Sequence, residues 1–471
     1  MSVADDIIAG RMPDFEDHLR QGHSLDDTDE YGLNFLIEAT LTQRPNIVQD
    51  LLARKVTVDK PDITGRTALH WAIDQHDIAI ARTLLENGAN ANAYTRGGLS
   101  VLVYPILRRQ EDLKSLLYQY GAKLDFAQDF ILAKLLGHRY ELQGDVDIYT
   151  PEGKYIELDY EGFFLEFTVA LILNSLRRFT NSYATRDWRP HYPVVYAVIE
   201  AFALAGDLLQ LQEKPRLSAS DKQNLQQYLQ APLHIFPVAS EGHAIGFVHY
   251  GKFWAKIDRG ENSLKEGSIN IYEMRHPERL TVAFLEDFLY NKQSREYFHE
   301  QINSILGLQK ITTFPMTAQI TGNCSWANIQ ATIPVAIAFL MPQTERHWNV
   351  TEAMALYEAW VEWDQDRALE ECVQRFYLAD PIRKASIASM LGAVLFQACE
   401  YGNKKHLSRA EKILRILTLP EYHYVLDSYL KTYCVHQLTR KGNNLLKILD
   451  DAGVDSGVEV NPIATGLKKR K

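Results

Sequence analysis

In the stretch QITGNCSWANIQ (residues 319–330) Cys324 stands where a polar turn runs into a helix. A thiol at a helix start gains thiolate character from the helix dipole, and more from a neighbouring imidazolium. His243 is the candidate imidazole and Asp258 the candidate carboxylate that fixes its tautomer and orientation. Gln319, just upstream of the cysteine, offers a side-chain amide that would stabilise an oxyanion. These four residue types together describe acyl-transfer chemistry: the thiolate attacks a carbonyl after the imidazole takes its proton. No cofactor is needed for that chemistry.

The elements that must position these groups are a hairpin and a helix. HAIGFVHYGKFWAKIDRG (243–260) reads as two alternating strands joined at Gly251-Lys252. With a two-residue loop Tyr250 pairs with Phe253, His243 faces Gly260 and Ile245 faces Asp258. His243 and Asp258 then project from one face on diagonal positions within side-chain reach. A change of one residue in the loop would send Asp258 to the other face. His249 shares the face of His243 but sits beside the turn with no carboxylate opposite it.

The order His243, Asp258, Gln319, Cys324 resembles the papain-like cysteine peptidases of the ubiquitin-like-protease clan. That clan includes SUMO proteases and bacterial effectors that act as proteases or acetyltransferases. In it a histidine begins a strand, an acid follows, and a glutamine precedes the cysteine; the resemblance assigns these roles to the four residues here. The chain departs from the pattern at Ser325, where glycine is common, and at Ala244, where tryptophan is usual. Those departures leave room for a shifted substrate preference or an inactive site.

Upstream, DITGRTALHWAIDQHDIAIARTLLENGAN (62–90) resembles the ankyrin consensus. The ankyrin period of 33 places turn glycines at Gly32, Gly65 and Gly98, and helix ends at Gly22, Lys55, Gly88 and Gly121. The repeat beginning at Gly98 carries Val101, Val103 and Pro105 where proline, histidine and alanine are usual. Ankyrin stacks are binding surfaces, read at their turn tips and concave helix face. Candidate binding residues at those tips are Asp29, Tyr31, Asp62, Tyr94 and Arg96. The last two, an aromatic beside an arginine, have hot-spot chemistry.

The expected architecture is therefore multidomain: an α-helical ankyrin solenoid of about four repeats (1–125), an α+β cysteine-protease-like domain (126–345), an all-α C-terminal domain (346–460) and a basic tail (461–471). A net charge of −10 argues against a broad nucleic-acid footprint. The four cysteines, Cys324, Cys372, Cys399 and Cys434, have no metal-ligand spacing, so no metal is expected. Apolar runs such as IPVAIAFLM (333–341) are about half the roughly 20 residues of a membrane span, and MSVADDIIAG has no signal-peptide core.

The ensemble of ankyrin stack, protease-like domain and helical tail resembles the ankyrin-repeat effectors that Legionella delivers through a type IV system. That resemblance implies a host-protein partner, a C-terminal translocation signal, and residence in the host cytosol or nucleus. The closing GLKKRK fits either a nuclear address or a solvated tail. Three functions remain open: a thiol hydrolase cleaving a peptide or isopeptide bond of a host protein, a non-catalytic interaction protein, and an acyltransferase using the same Cys–His chemistry.

Overall fold

The computed structural model describes residues 3–457 apart from 96–98, 109, 150–154, 160–163, 213–216, 241, 261–266, 292, 320–321 and 343–347. Contacts divide the chain into two compact units. Met1–Lys134 with Val146–Asp159 forms the first, and Leu135–Asp145 with Tyr160–Lys471 the second. Of the part read from the sequence as the middle domain (126–345), residues 126–134 and 146–159 lie in the first unit, and the rest shares the second unit with the C-terminal part.

The first unit is a series of helix pairs: Val3–Ile8 with Phe15–Arg20, Phe35–Leu41 with Pro45–Ala53, Ala68–Asp74 with Ile78–Glu86, and Val103–Leu107 with Glu111–Gln119. Side-chain caps start them: Asn34 Oδ1 accepts from the Ile37 N–H at 2.8 Å and Asp77 Oδ1 from Ile80 at 2.9 Å. In the TALH box, His70 Nδ1 accepts from the Thr67 N–H at 3.2 Å. Its Nε2, 3.2 Å from the Leu99 carbonyl, reaches the next repeat. The departing repeat has the shortest of these helices, Val103–Leu107, with Pro105 inside it and no side-chain cap. A two-stranded sheet, β1 (Asp145–Tyr149) with β2 (Tyr155–Asp159), completes the strands before residue 160.

The turn tips divide by burial. Tyr31 is 58% exposed and Tyr94 64%, and Asp29 is exposed while its Oδ1 accepts from Tyr31 and Leu33. Asp62 corrects the sequence reading: it is only 6% exposed. Its carboxylate accepts from the N–H groups of Thr64 and Arg66 and from Trp71 Nε1, so it closes its own turn instead of facing a partner. The residue at that tip that faces outward is Ile63, 55% exposed. Arg96 and the basic tail lie outside the described residues.

The second unit is built on a five-stranded antiparallel sheet in the order β3 (Leu233–Ser240), β4 (His243–Tyr250), β5 (Phe253–Ile257), β6 (Ile269–Met274) and β7 (Leu308–Thr313). Most inner-strand residues are buried on both faces because helices cover both. One face, with Ile235, Ala244, Val248, Ala255, Ile257 and Ile271, packs on helices Leu165–Asn181, Tyr192–Gln212, Cys324–Gln330, Thr332–Leu340 and Val350–Leu378. The other, with Phe236, Phe247, Trp254 and Tyr272, packs on Ala219–Tyr228, Val282–Tyr290 and the helical run Tyr297–Leu306. Among the described residues the helices Pro381–Ala398, Lys404–Leu417, His423–Leu430, with the π-helical turn Lys431–His436, and Arg440–Asp451 follow.

One segment exceeds the apolar length expected from the sequence. Tyr183–Leu211 is long and apolar enough to cross a membrane by length and composition. Scanning for uninterrupted apolar runs misses it, because Glu200 and Asp207 break the run without lowering its average much. In the fold its Val195, Val198, Phe202, Ala205 and Leu209 belong to the core beside the sheet.

The repeat period generates a stability test. The helix-ending positions Gly22, Gly88 and Gly121 have φ of +86°, +90° and +83°, and Lys55 in the same register has +62°. A side chain with Cβ is strained there, whereas glycine is not. Lys55→Gly is expected to stabilise the first unit by about 0.5–1 kcal/mol, the strain relieved less the extra chain entropy of glycine. A thermal melt showing the midpoint lowered in this variant would contradict the assignment.

Candidate active site

The hairpin has the register that its two-residue loop requires: Tyr250 pairs with Phe253, Val248 with Ala255 and Gly246 with Ile257. Gly251 supplies the positive φ of the turn, +58°. Just past the paired region His243 Nε2 meets Asp258 Oδ1 at 2.8 Å, so the diagonal pair is joined. Because Nε2 is held by the carboxylate, Nδ1 is the ring atom left for Cys324, whose thiol lies close enough to His243 for each to shift the other's pKa. Asp258, His243 and Cys324 are therefore brought together as a connected chain.

The sulfur sits where a ladder bond would otherwise be. Tyr250 and Phe253 flank a two-residue turn, so they and every second pair after them face each other as hydrogen-bonding pairs. Two rungs beyond Gly246 and Ile257 that pattern reaches Ala244 and Arg259. The Ala244 N–H donates instead to Cys324 Sγ at 3.4 Å, and the Arg259 carbonyl accepts from the Gln319 N–H at 2.8 Å. The rung is open, and the backbone of Gln319 and the side chain of Cys324 occupy it. Arg259 further ties the Gln319 segment down by donating from Nε to the Thr317 carbonyl at 3.0 Å.

Electrostatics follow from these contacts. Burial pushes the Asp258 carboxyl up, but His243, His299 and the Gly260 N–H outweigh it and hold the group well below the usual carboxylate range. His243 is raised from 6.5 to about 9, chiefly by Asp258 and then by the thiol, against the pull of burial. Burial likewise pushes Cys324 up, yet His243 and the N–H groups of Ala244 and Ser325 bring it below the ordinary thiol value. The contrast with the other cysteines is sharp: burial drives Cys399 up to about 12 and raises Cys434, and Cys372 is buried. Cys324 alone of the four is partly exposed.

Sequence reasoning missed several members of this site. His299 Nε2 stands 3.3 Å from Asp258 Oδ2, off the line of a good hydrogen bond but within ion-pair range. Lys256 Nζ lies 3.2 Å from His299 Nδ1 and can only donate, which assigns the proton of a neutral His299 to Nε2, facing Asp258. Lys256 alternates onto the face of Asp258, a position legible in the strand pattern; His299 comes from a helical run far along the chain and carried no local signal. His249 stands apart. Its Nδ1 is 2.9 Å from His234 Nδ1 and its Nε2 2.8 Å from the Gly251 carbonyl, and burial lowers it to about 4. Among the described residues no group of three or more His, Cys, Asp or Glu is placed to hold a metal ion.

These features define an ankyrin-repeat protein whose second unit carries a Cys–His–Asp cluster in an opened hairpin. The family described as "Ankyrin repeats (3 copies)" matches residues 10–95 and 36–127. A solved structure, "Structure of Legionella Effector AnkH", matches at 57% sequence identity with a TM-score of 0.73, over 98% of this chain and 99% of that one. The chain belongs to the AnkH family. The comparison with curated proteins yielded no match.

Two predictions follow from the geometry. A Cβ at Gly246 would lie 2.8 Å from Thr332 Cγ2 and 2.9 Å from the Asn328 carbonyl oxygen, so the cysteine-bearing helix rests directly on β4. Gly246→Ala is expected to cost about 1–3 kcal/mol by overpacking and to slow alkylation of Cys324 as the helix is pushed off the strand; an unchanged melt and alkylation rate would refute that close approach. The second concerns pH. The proton on His243 binds more tightly in the folded chain, so its stabilising contribution is fully present below pH 6.5 and is lost as pH rises through about 9. In Asp258→Asn that alkaline loss should shrink, as read by chemical denaturation at pH 6, 8 and 10.

Proposed function

We propose that the chain is an effector that acts in a host cell, binding a host protein through its ankyrin repeats and working on a host protein with a thiol active site centred on Cys324. The single observation that carries the catalytic part is the Asp258–His243 hydrogen bond beside Cys324, with the thiol lowered and the imidazole raised to about 9. In the reading we favour, the reaction is hydrolysis of a peptide or isopeptide bond. Cys324 Sγ attacks the carbonyl carbon, and the oxyanion that forms is met by donors near the helix start. The Cys324 N–H, at the first helical position, has no intrahelical acceptor, and the Gln319 amide is the second candidate. His243 gives its proton to the leaving amine, the C–N bond breaks and a thioester remains. Water, deprotonated by His243, then attacks the thioester; the acid leaves and the thiol is restored. Asp258 stays ionised throughout and holds the ring.

The same acyl-enzyme would serve an acyltransferase if an amine replaced the water. A non-catalytic reading draws on Ser325 and Ala244, which depart from the pattern of the clan that the site resembles. The discriminating measurement is the rate of iodoacetamide alkylation at each cysteine. Near neutral pH, Cys324 is expected to react at least about tenfold faster than Cys399 or Cys434 because of its thiolate fraction. Asp258→Asn should lower turnover by up to about 10⁴, the loss seen when the carboxylate that orients a catalytic imidazole is removed. Equal alkylation at all four cysteines would leave the non-catalytic reading in place. Dependence of product formation on an acyl donor would favour the transferase.

The partner-binding half is tested separately. Tyr31, Ile63 and Tyr94 form a series of large, exposed side chains at successive turn tips. Replacing Tyr31 and Tyr94 by alanine should change stability by no more than about 0.5 kcal/mol per site. Capture of the host partner should fall while alkylation of Cys324 keeps its rate. Partner binding that survives both changes would remove the tips as the recognition surface.

A further inference from the structure

The opened rung leaves two backbone groups still to be accounted for, the Ala244 carbonyl and the Arg259 N–H, and one buried side chain takes both. Asn328 Nδ2 donates to the Ala244 carbonyl at 2.6 Å, and the Arg259 N–H donates to Asn328 Oδ1 at 2.8 Å. Asn328 is fully buried. It lies four residues after Cys324 on the same helix, and therefore on the same helix face. Ala244 is the residue after His243 and Arg259 the residue after Asp258. Continued two positions past Gly246 and Ile257, the register of the hairpin would set Ala244 opposite Arg259. A closed ladder would join them by two bonds, Arg259 N–H to Ala244 carbonyl and Ala244 N–H to Arg259 carbonyl. The carboxamide of Asn328 stands in for the first bond, with one donor and one acceptor arranged as a peptide group would present them.

We propose that Asn328 is a positioning residue that wedges this rung open so that the site can occupy it. With the wedge in place the Ala244 N–H is turned over to the sulfur and the Arg259 carbonyl to Gln319. Without it, the two strands can complete their own ladder, and the sulfur loses an N–H donor. A short amide fits this role where other side chains do not: serine cannot bridge both partners, and aspartate cannot donate to a carbonyl. The proposal rests on the reading of Cys324 as an activated thiol, and it concerns how that thiol is held.

The test is Asn328→Ala in the full chain, with two readouts. The first is the pH profile of Cys324 alkylation. Its midpoint should move up by about one pH unit, which lowers the rate at pH 6 about tenfold. The second is hydrogen exchange at the Ala244 amide, which should slow as that N–H passes from sulfur to the Arg259 carbonyl. A residue that merely stabilises the helix would lower the melting temperature and leave both readouts where they were; a folded variant with that behaviour would overturn the proposal. Should the alanine variant fail to fold, Asn328→Ser is expected to give the same two shifts and is judged by the same criterion. If the unaltered protein shows an ordinary thiol profile, the activated-thiol reading fails. The wedge is then decided by exchange alone, with slowed exchange at Ala244 in the variant supporting it and unchanged exchange refuting it.

Discussion

A hairpin cannot complete its ladder and also house a site in the same rung. Backbone N–H and C=O groups that leave a ladder inside a protein must be paired again, or the fold loses the desolvation cost of each. At Ala244 and Arg259 all four groups leave and all four find partners: Cys324, Gln319 and, twice, Asn328. All of these partners belong to three residues close together in the sequence, Gln319, Cys324 and Asn328. The placement of the thiol is thus set by hydrogen-bond accounting before any question of reactivity arises.

Reactivity is then a matter of charge in a partly desolvated place. Asp258 is pinned by His243, Gly260 and the neighbouring His299, which keeps it ionised despite burial. An ionised carboxylate raises the imidazole, and the imidazolium lowers the thiol, so each shift is the cause of the next. Gly260 allows this crowding: a Cβ there would lie 3.0 Å from His243 Cε1 and 3.1 Å from Asp258 Oδ1. Lys256 supports the carboxylate from behind, through the tautomer it imposes on His299.

Periodicity made the ankyrin stack legible, because a repeat of 33 residues fixes turns and helix ends without tertiary knowledge; the left-handed Lys55 fell in register with three glycines. The hairpin register was legible for a similar reason, since a two-residue loop leaves one pairing that keeps His243 and Asp258 on one face. What was not legible depends on distant chain. Asp62 looks like an exposed tip until Trp71 and its own turn are seen to claim its carboxylate. His299 and Asn328 carry no motif, and their meaning arises only from the groups that the folded sheet presents to them. The apolar content of Tyr183–Leu211 was hidden by its scattered charges and became plain only in the packed core.

The small residue after His243 fits this account. The side chain of Ala244, 4% exposed, lies on the sheet face covered by the cysteine-bearing helix. Gly246, two residues on, shares that face and is in contact with the backbone of Asn328. Alanine and glycine at these alternate positions let the helix come close enough for a two-carbon amide side chain to reach between the strands. A tryptophan at 244 would hold the helix away from the sheet and put the rung beyond the reach of Asn328. The small residue after His243 and the buried Asn328 are thus complementary parts of the proposed wedge.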